Sequence, residues 1–314
     1  MDSSELQAYA HRMRFMREAG ITLVLASGVL AFFLFIPLFE QKAPPAPTVV
    51  ATTGPDAFAQ VSIDAKAAIV YDLTTGEVLY AKNADAQLPL ASLTKLLTVY
   101  AALAKLSPDT PITIPALATH LDGPHAFSAG QTFALDDLAR LTLTASLNDG
   151  AAAIAEATAS RQNISQTDML AGAAAALGLG ETYAVNGSGL DVNAAVSGGY
   201  GSARDLARLA GALVEQAPAI AAATTENIVH AVSEGGTSFS LKNTDPIVSS
   251  ISRLLLSKTG YTDLAGGNLA LVFDSGMRHM VAVVVLGSSL KARFTDGAAL
   301  VAATLAHFAG VDSL

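Results

Sequence analysis

The most sustained apolar pattern lies near the start of the chain. From Ile21 to Phe39 the run ITLVLASGVLAFFLFIPLF holds no charged residue, and Glu18 and Glu40 bound it. As a helix, such a run reaches about 28 Å, close to the ~30 Å hydrocarbon core of a bilayer. Arg12, Arg14 and Arg17 precede it, and of the basic residues only Lys42 follows closely. The positive-inside rule then leaves residues 1–20 in the cytoplasm, 21–39 as a single membrane anchor, and the rest on the extracytoplasmic side. A cleaved signal peptide is the rival reading. Its apolar region would be shorter, and Ala57-Phe58-Ala59 lies too far downstream to be its cleavage site. Residues 40–58 contain Lys42-Ala-Pro-Pro-Ala-Pro-Thr and Thr52-Thr53-Gly54-Pro55, the composition of an extended spacer. Residues 59–314 remain for a globular domain.

Within that domain the pattern alternates between strand and helix periods. Ala67–Asp72 and Glu77–Lys82 read as two strands joined by Leu73-Thr74-Thr75-Gly76, a hairpin. Leu93–Leu106 has apolar residues at helical spacing and stops before Ser107-Pro108. Leu135–Ala159 reads as two helices broken near Ser146–Gly150. Thr167–Leu177, with Gly178 and Gly180 as stop signals, and Ala203–Glu215 are further helices. Arg253–Ser257, Asn268–Phe273 and Met280–Leu286 return to β character, and Phe294–Phe308 closes the chain as a helix. Strands, then helices, then strands and a last helix predict an α+β fold. Its antiparallel sheet is built from both ends of the chain, with a helical region inserted between.

Composition sharpens this picture. Apolar residues make up 51% and charged residues 14% of the 314, enough to bury a large core and too few charges for a largely disordered chain. With no Trp and 6% aromatics, that core has to be built from Ala, Leu, Val and Ile. The net charge of −9 argues against a nucleic-acid partner, which requires a basic footprint. The absence of Cys excludes disulfides, thiolate metal sites and thiol nucleophiles. The six histidines form no H-E-x-x-H. His120 and His125 flank Asp122 in what reads as a solvated loop, so no metal and no cofactor is expected. Asp136-Asp137 fits a polar helix start, and Gly187-Ser188-Gly189 is not a nucleophile elbow.

Three short motifs carry candidate chemistry. Ser92-Leu93-Thr94-Lys95 holds a hydroxyl and an amine on one helical face. A serine hydroxyl needs a base to become a nucleophile, and a lysine serves only if burial or a second cation keeps it neutral. The start of a helix also favours a developing oxyanion. Ser146-Leu147-Asn148 lies between two helices, where a plain loop or N-cap would look the same. Lys258-Thr259-Gly260 follows Arg253–Ser257. If that segment is an edge strand, the motif puts a cation, a hydroxyl and a bare backbone beside a groove.

Each motif alone is common, but the ordered set Ser-x-x-Lys, Ser-x-Asn, Lys-Thr-Gly resembles the penicillin-recognising serine enzymes. LASLTKLL at Leu90–Leu97, GQTFALDDLARLTLTASLNDGAAAIAE at Gly130–Glu156 and KTGYTDLAG at Lys258–Gly266 are similar to the D-alanyl-D-alanine carboxypeptidase family, the low-molecular-mass penicillin-binding proteins of serine peptidase family S11. So are Gly189-Leu190-Asp191, Ser202–Leu206, Leu286-Gly287-Ser288 and Arg293-Phe294. The likeness runs from about Lys66 to Phe308. It implies the penicillin-binding-protein and β-lactamase type of transpeptidase fold and an acyl-enzyme hydrolysis of the D-alanyl-D-alanine end of a peptidoglycan stem peptide, with β-lactams as covalent inhibitors and the inner cell membrane as the location. It further implies Ser92 as nucleophile, Lys95 as base and Ser146 as proton relay, with Asn148 on the substrate amide. Lys258 and Thr259 would bind the terminal carboxylate, Gly260 would leave room for it, and the N–H groups of Ser92 and Tyr261 would form the oxyanion hole.

Two departures stand out. Leu147 occupies a position where the family often has Gly, so its side chain must point away from the groove or narrow it. The chain ends about 54 residues past Gly260, short of the C-terminal β-domain and membrane helix that many relatives carry, so the N-terminal helix is expected to do the anchoring. Other readings stay open: a D,D-endopeptidase acting on cross-links, a class A-like β-lactamase, or a catalytically idle scaffold. The β-lactamase reading needs a glutamate to activate the deacylating water. Glu156, Asp168, Glu181 and Asp191 are the acids downstream of Asn148, and none sits in an E-x-x-x-N loop.

Overall fold

The computed structural model describes residues 13, 14, 16, 56–276 and 279–310. The chain divides into two units, 1–53 and 54–314, and the second carries the sheet, the helices and the cores. The expected membrane helix, 21–39, lies outside the described residues. Among those described, no helix is long and apolar enough to cross a membrane.

The centre of the fold is a five-stranded antiparallel sheet. Its strands are β1 (Ala67–Asp72), β2 (Val78–Lys82), β10 (Leu254–Thr262), β11 (Gly266–Asp274) and β12 (Met280–Ser288), in the order β10-β11-β12-β1-β2. The opening hairpin therefore pairs with the last strand, Ala67 opposite Leu286 and Asp72 opposite Val281. Both ends of the chain build the sheet, as its pattern predicts.

The inner strands β1, β11 and β12 are largely apolar on both faces because both faces are covered. Ala67, Ile69, Ala282, Val284 and Leu286 face the helical region. Their neighbours Ala68, Val70, Val281, Val283 and Val285 face the second core. Period-2 alternation thus divides one apolar run between two cores. The second face is closed by the C-terminal helix (Ala292–Ala309) through Leu300, Val301 and Ala303. Phe58, the last residue of the expected spacer, packs in the same cluster with its ring 5.7 Å from that of Tyr80.

Helices and small sheets form the inserted region. In chain order the helices of the whole unit are α1 (Thr94–Leu103), α2 (Leu135–Ala145), α3 (Asn148–Gln162), α4 (Gln166–Ala176), α5 (Ala203–Gln216), α6 (Pro218–Ala223) and α7, the C-terminal helix. Ser165 and Ser202 cap α4 and α5 by accepting from the N–H groups of Asp168 and Asp205. Gly178 stops α4 at φ +63, and Arg208 covers its last carbonyls. Asp136 and Asp137 sit in the first turn of α2, the polar helix start expected for them.

The small sheets are β3 (Leu88–Pro89) with β7 (Gly199–Gly201) and β6 (Tyr183–Ala184), β4 (Pro111–Thr113) with β5 (Thr132–Ala134), and β8 (Ile228–Val232) with β9 (Ser238–Lys242). Their strands run from two to five residues, too short to leave a readable alternation for the most part. One boundary differs in a way that matters. The strand expected to stop at Ser257 continues to Thr262, so Lys258-Thr259-Gly260 is in the edge strand and not beyond its end. Pairing to β11 carries it onward, Lys258 opposite Ala270, Thr259 opposite Leu269 and Gly260 opposite Asn268.

Candidate active site

Ser92 sits in a short 3-10 turn, Ala91–Leu93, that runs directly into α1. The turn is under backbone strain, because Ala91 takes φ +48, a region that L-residues with a Cβ seldom occupy. Neighbouring segments hold it there. The side-chain amide of Asn268 on β11 donates to the carbonyls of Pro89 and Leu90 at 3.0 Å each, and its oxygen accepts from Gly287 N at 2.8 Å. Gly260 passes so close that a Cβ there would lie 2.9 Å from Leu90 O and 3.2 Å from Ser92 N. A glycine in the motif is thus a packing requirement, and it brings the edge strand against the serine turn.

Lys95, in the first turn of α1, is fully buried. Its Nζ lies 2.6 Å from Ser92 Oγ, 2.8 Å from Asn148 Oδ1 and 3.0 Å from Ser188 O. Asn148 opens α3 and is itself fixed. Its Nδ2 donates to Asp122 O at 2.6 Å and its N–H to Pro124 O at 2.7 Å. Because Nδ2 faces a carbonyl, Oδ1 is the atom turned to the lysine. Two of the three partners of Lys95 Nζ are carbonyls that can only accept. A neutral amine spends both N–H bonds on them, and its lone pair then faces Ser92 Oγ. Burial pushes the Lys95 pKa down to about 7, with the Asp149 carboxylate acting in the opposite direction.

The second cluster lies beside the first. Lys258 Nζ donates to Ser146 Oγ at 2.8 Å and to Thr259 O at 2.7 Å. Ser146 occupies the left-handed region, φ 59 and ψ 38, at the joint between α2 and α3. That joint is what aims its hydroxyl at the edge strand. Burial drives the Lys258 pKa well below the ordinary lysine value, and the neighbouring cations Lys95 and Arg293 add to the effect. Two lysines from distant parts of the chain therefore share one buried region, where a charge on one disfavours a charge on the other.

Five of the eight residues expected from sequence are joined in two hydrogen-bonded sets. Ser92, Lys95 and Asn148 form one hydrogen-bonded set, Ser146 and Lys258 another. Thr259 is buried and its hydroxyl is 2.6 Å from that of Thr244. Gly260 meets the serine turn, and Tyr261, next along the strand, is half-exposed. Leu147 is 3% exposed and belongs to the main core, so the side chain points away from the groove and does not narrow it. Among the described residues, no group of His, Asp and Glu is placed to hold a metal ion. His125 instead contacts its own loop at Gly123 O.

Several contributors were not legible in the sequence. Thr244 enters from an irregular segment, Ser188 through its main-chain carbonyl, and Asn268 by tying the serine turn to the sheet. Arg293, by contrast, lies in a segment that carried the resemblance, and it donates to Gly260 O at 2.6 Å. Asp149 is buried and accepts from the N–H groups of Ala126, Phe127 and Gly150 at 2.8 Å each.

A family model described as D-alanyl-D-alanine carboxypeptidase, peptidase family S11, matches residues 52–289. The chain belongs to the D-alanyl-D-alanine carboxypeptidase family S11. As a member of S11 it is a serine-type peptidase. The D-alanyl-D-alanine endopeptidase of Pseudomonas aeruginosa is 30% identical over 217 residues, covering 68% of each protein. D-alanyl-D-alanine carboxypeptidase DacC of Escherichia coli is 31% identical over 256 residues, 75% of this chain and 60% of that one. The S11 chain thus spans about two thirds of the first relative and three fifths of the second. Penicillin-binding protein D2 of Listeria monocytogenes, in its ampicillin-bound form, has a TM-score of 0.67 at 28% identity, over 78% of this chain and 98% of that one. The S11 domain has the penicillin-binding-protein transpeptidase fold, an antiparallel sheet with helices.

Proposed function

We propose that the protein is a serine D-alanyl-D-alanine carboxypeptidase that removes the terminal D-alanine from peptidoglycan stem peptides through an acyl-enzyme. The observation that carries this reading is a buried amine 2.6 Å from the Ser92 hydroxyl, depressed to a pKa of about 7. Lys95 takes the proton as Ser92 Oγ attacks the carbonyl between the last two D-alanines. The N–H groups of Ser92 and Tyr261 receive the oxyanion. The terminal carboxylate meets Lys258, Thr259 and, beside it, Thr244. Its negative charge stabilises the ammonium form of Lys258, which burial alone disfavours. Ser146 passes a proton from the Lys258 side to the leaving amine, and D-alanine departs. Water then attacks the ester and restores Ser92. β-Lactams acylate the same hydroxyl and stay bound.

Slow release of β-lactams is part of the proposal. Glu156, Asp168 and Glu181 are exposed, and Asp191 accepts from Thr262 Oγ1 at 3.1 Å. None of them is hydrogen-bonded to Ser92 or Lys95. A class A-like β-lactamase would need such an acid over the ester. A second reading, cleavage of D-alanyl cross-links, is favoured by one observation: the Pseudomonas aeruginosa relative is named an endopeptidase. The chemistry is the same and the leaving group larger.

We also propose that residues 21–39 anchor the protein in the inner cell membrane, with the domain on the extracytoplasmic side. The uncharged run and the arginines before it support this. Cell fractionation with protease added to the outside checks it: full-length protein recovered in the soluble fraction would overturn it.

The deciding experiment incubates the full-length protein with stem pentapeptide and with cross-linked dimers and reads the products by mass. Loss of one alanine is expected. Splitting of dimers without that loss would replace the carboxypeptidase reading with the endopeptidase one, and no product from either would leave the idle scaffold.

A further inference from the structure

Gly187-Ser188-Gly189, unremarkable as a sequence motif, delivers a carbonyl to the lysine of the site. Ser188 O is one of the two acceptors that orient the Lys95 amine, and Ser188 itself is buried. What holds that carbonyl in place is a single side chain. Asn186 Oδ1 accepts from Gly189 N at 2.8 Å, from Ser188 Oγ at 3.1 Å and from Ser188 N at 3.2 Å. Asn186 Nδ2 donates to Leu190 O at 2.9 Å, and Ser188 Oγ accepts from Leu190 N at 3.2 Å. The loop from Asn186 to Leu190 is thus knotted around one amide group.

Its two glycines are held from outside, but among the described residues nothing outside the loop bonds to the Ser188 N–H or hydroxyl. Thr98 on α1 donates to Gly187 O at 2.7 Å. Gly189, at φ +75, lies so close to the serine turn that a Cβ would overlap the carbonyl of Ala91. Asn186 bonds to none of Ser92, Lys95 and Asn148; its route to Lys95 is the Ser188 carbonyl. The charged groups facing Lys95 are Asp149 from α3 and Lys258 from β10.

We propose that Asn186 is a positioning residue for acylation: it fixes the Ser188 carbonyl, which takes one N–H of Lys95 and leaves the amine lone pair directed at Ser92. This rests on the reading of Lys95 as the base. Without the amide, Ser188 O is free to turn, the lysine amine rotates, and its lone pair spends time on the wrong partner. Substrate anchoring at Lys258 and Thr259 is untouched.

The test is the rate of acylation by a fluorescent penicillin as a function of pH, on the full-length protein. Asn186→Ala removes all four bonds. It should lower the rate at its high-pH plateau by about ten-fold or more, with KM for stem pentapeptide unchanged and kcat reduced. Asn186→Asp keeps the oxygen that accepts from Ser188 and Gly189, loses the donor to Leu190 O, and adds a negative charge two residues before the carbonyl that meets Lys95. A nearby anion favours the ammonium, so the plateau should be largely recovered while the acid-side inflection moves up by about half a pH unit or more. A folded Asn186→Ala protein with wild-type plateau and inflection would overturn the proposal, whatever its melting temperature. If Asn186→Ala does not fold, Asn186→Asp decides, and an unmoved inflection overturns it. Wild-type protein that no penicillin acylates would instead remove the base reading beneath it.

Discussion

At the scale of single residues, the proposed base is a lysine whose charge is disfavoured by burial. Lys95 is fully buried with three hydrogen-bond partners, and burial brings its pKa to about 7. Only its neutral form can take the Ser92 proton. Acylation should therefore rise with pH and level off, with its inflection near 7, and fall about ten-fold per unit below that. Stopped-flow labelling from pH 5 to 10 reads this directly; an inflection near the ordinary lysine value would show that burial does not set the charge. Ser92→Ala should lose both penicillin labelling and D-alanine release while keeping its melting temperature, because Ser92 is half-buried and its hydroxyl is not part of the core. These residues were legible from sequence because side-chain chemistry repeats at short spacing. The carbonyl of Ser188 was not, since a main-chain oxygen leaves no trace in residue type.

At the scale of elements, close approach decides. Strand β10 and the serine turn meet across Gly260, where an added methyl group would press on Leu90 O and Ser92 N. Gly260→Ala should keep the fold yet slow acylation by about ten-fold or more, since a shift of a few tenths of an ångström separates the strand from the nucleophile. Circular dichroism together with penicillin labelling distinguishes that from unfolding. Leu147 belongs to the opposite category. It sits inside a catalytic motif but its side chain lies in the main core, so Leu147→Ala should cost about 2–5 kcal/mol of stability in urea unfolding without changing substrate preference. The helices and long strands were readable from their periods. The end of β10 was not, because Lys258, Thr259 and Gly260 interrupt the apolar pattern just where pairing to β11 continues. The two-residue strands β3 and β6 are likewise held by context and not by propensity.

At the scale of the molecule, the order of secondary structure told more than any single element. A hairpin at the start and strands at the end of a mixed chain can share a sheet in few ways, and the apolar runs on both faces required two covering layers. The sheet is consequently joined at its centre by residues more than two hundred positions apart, Ala67 with Leu286. A chain stopped after Asp274 still contains Ser92, Lys95, Ser146, Asn148 and Lys258. It lacks β12 and α7, which close the sheet and cover its second face. Such a chain should take up no fluorescent penicillin and show no cooperative thermal transition, as calorimetry would reveal.

That central seam has a bearing on biosynthesis. A ribosome releases the partner of the first strand long after the strand itself, so a translation product that stops before that partner should lack the closed sheet. Competence should therefore arrive with that late segment, which leaves the nascent peptidase inert during its own manufacture.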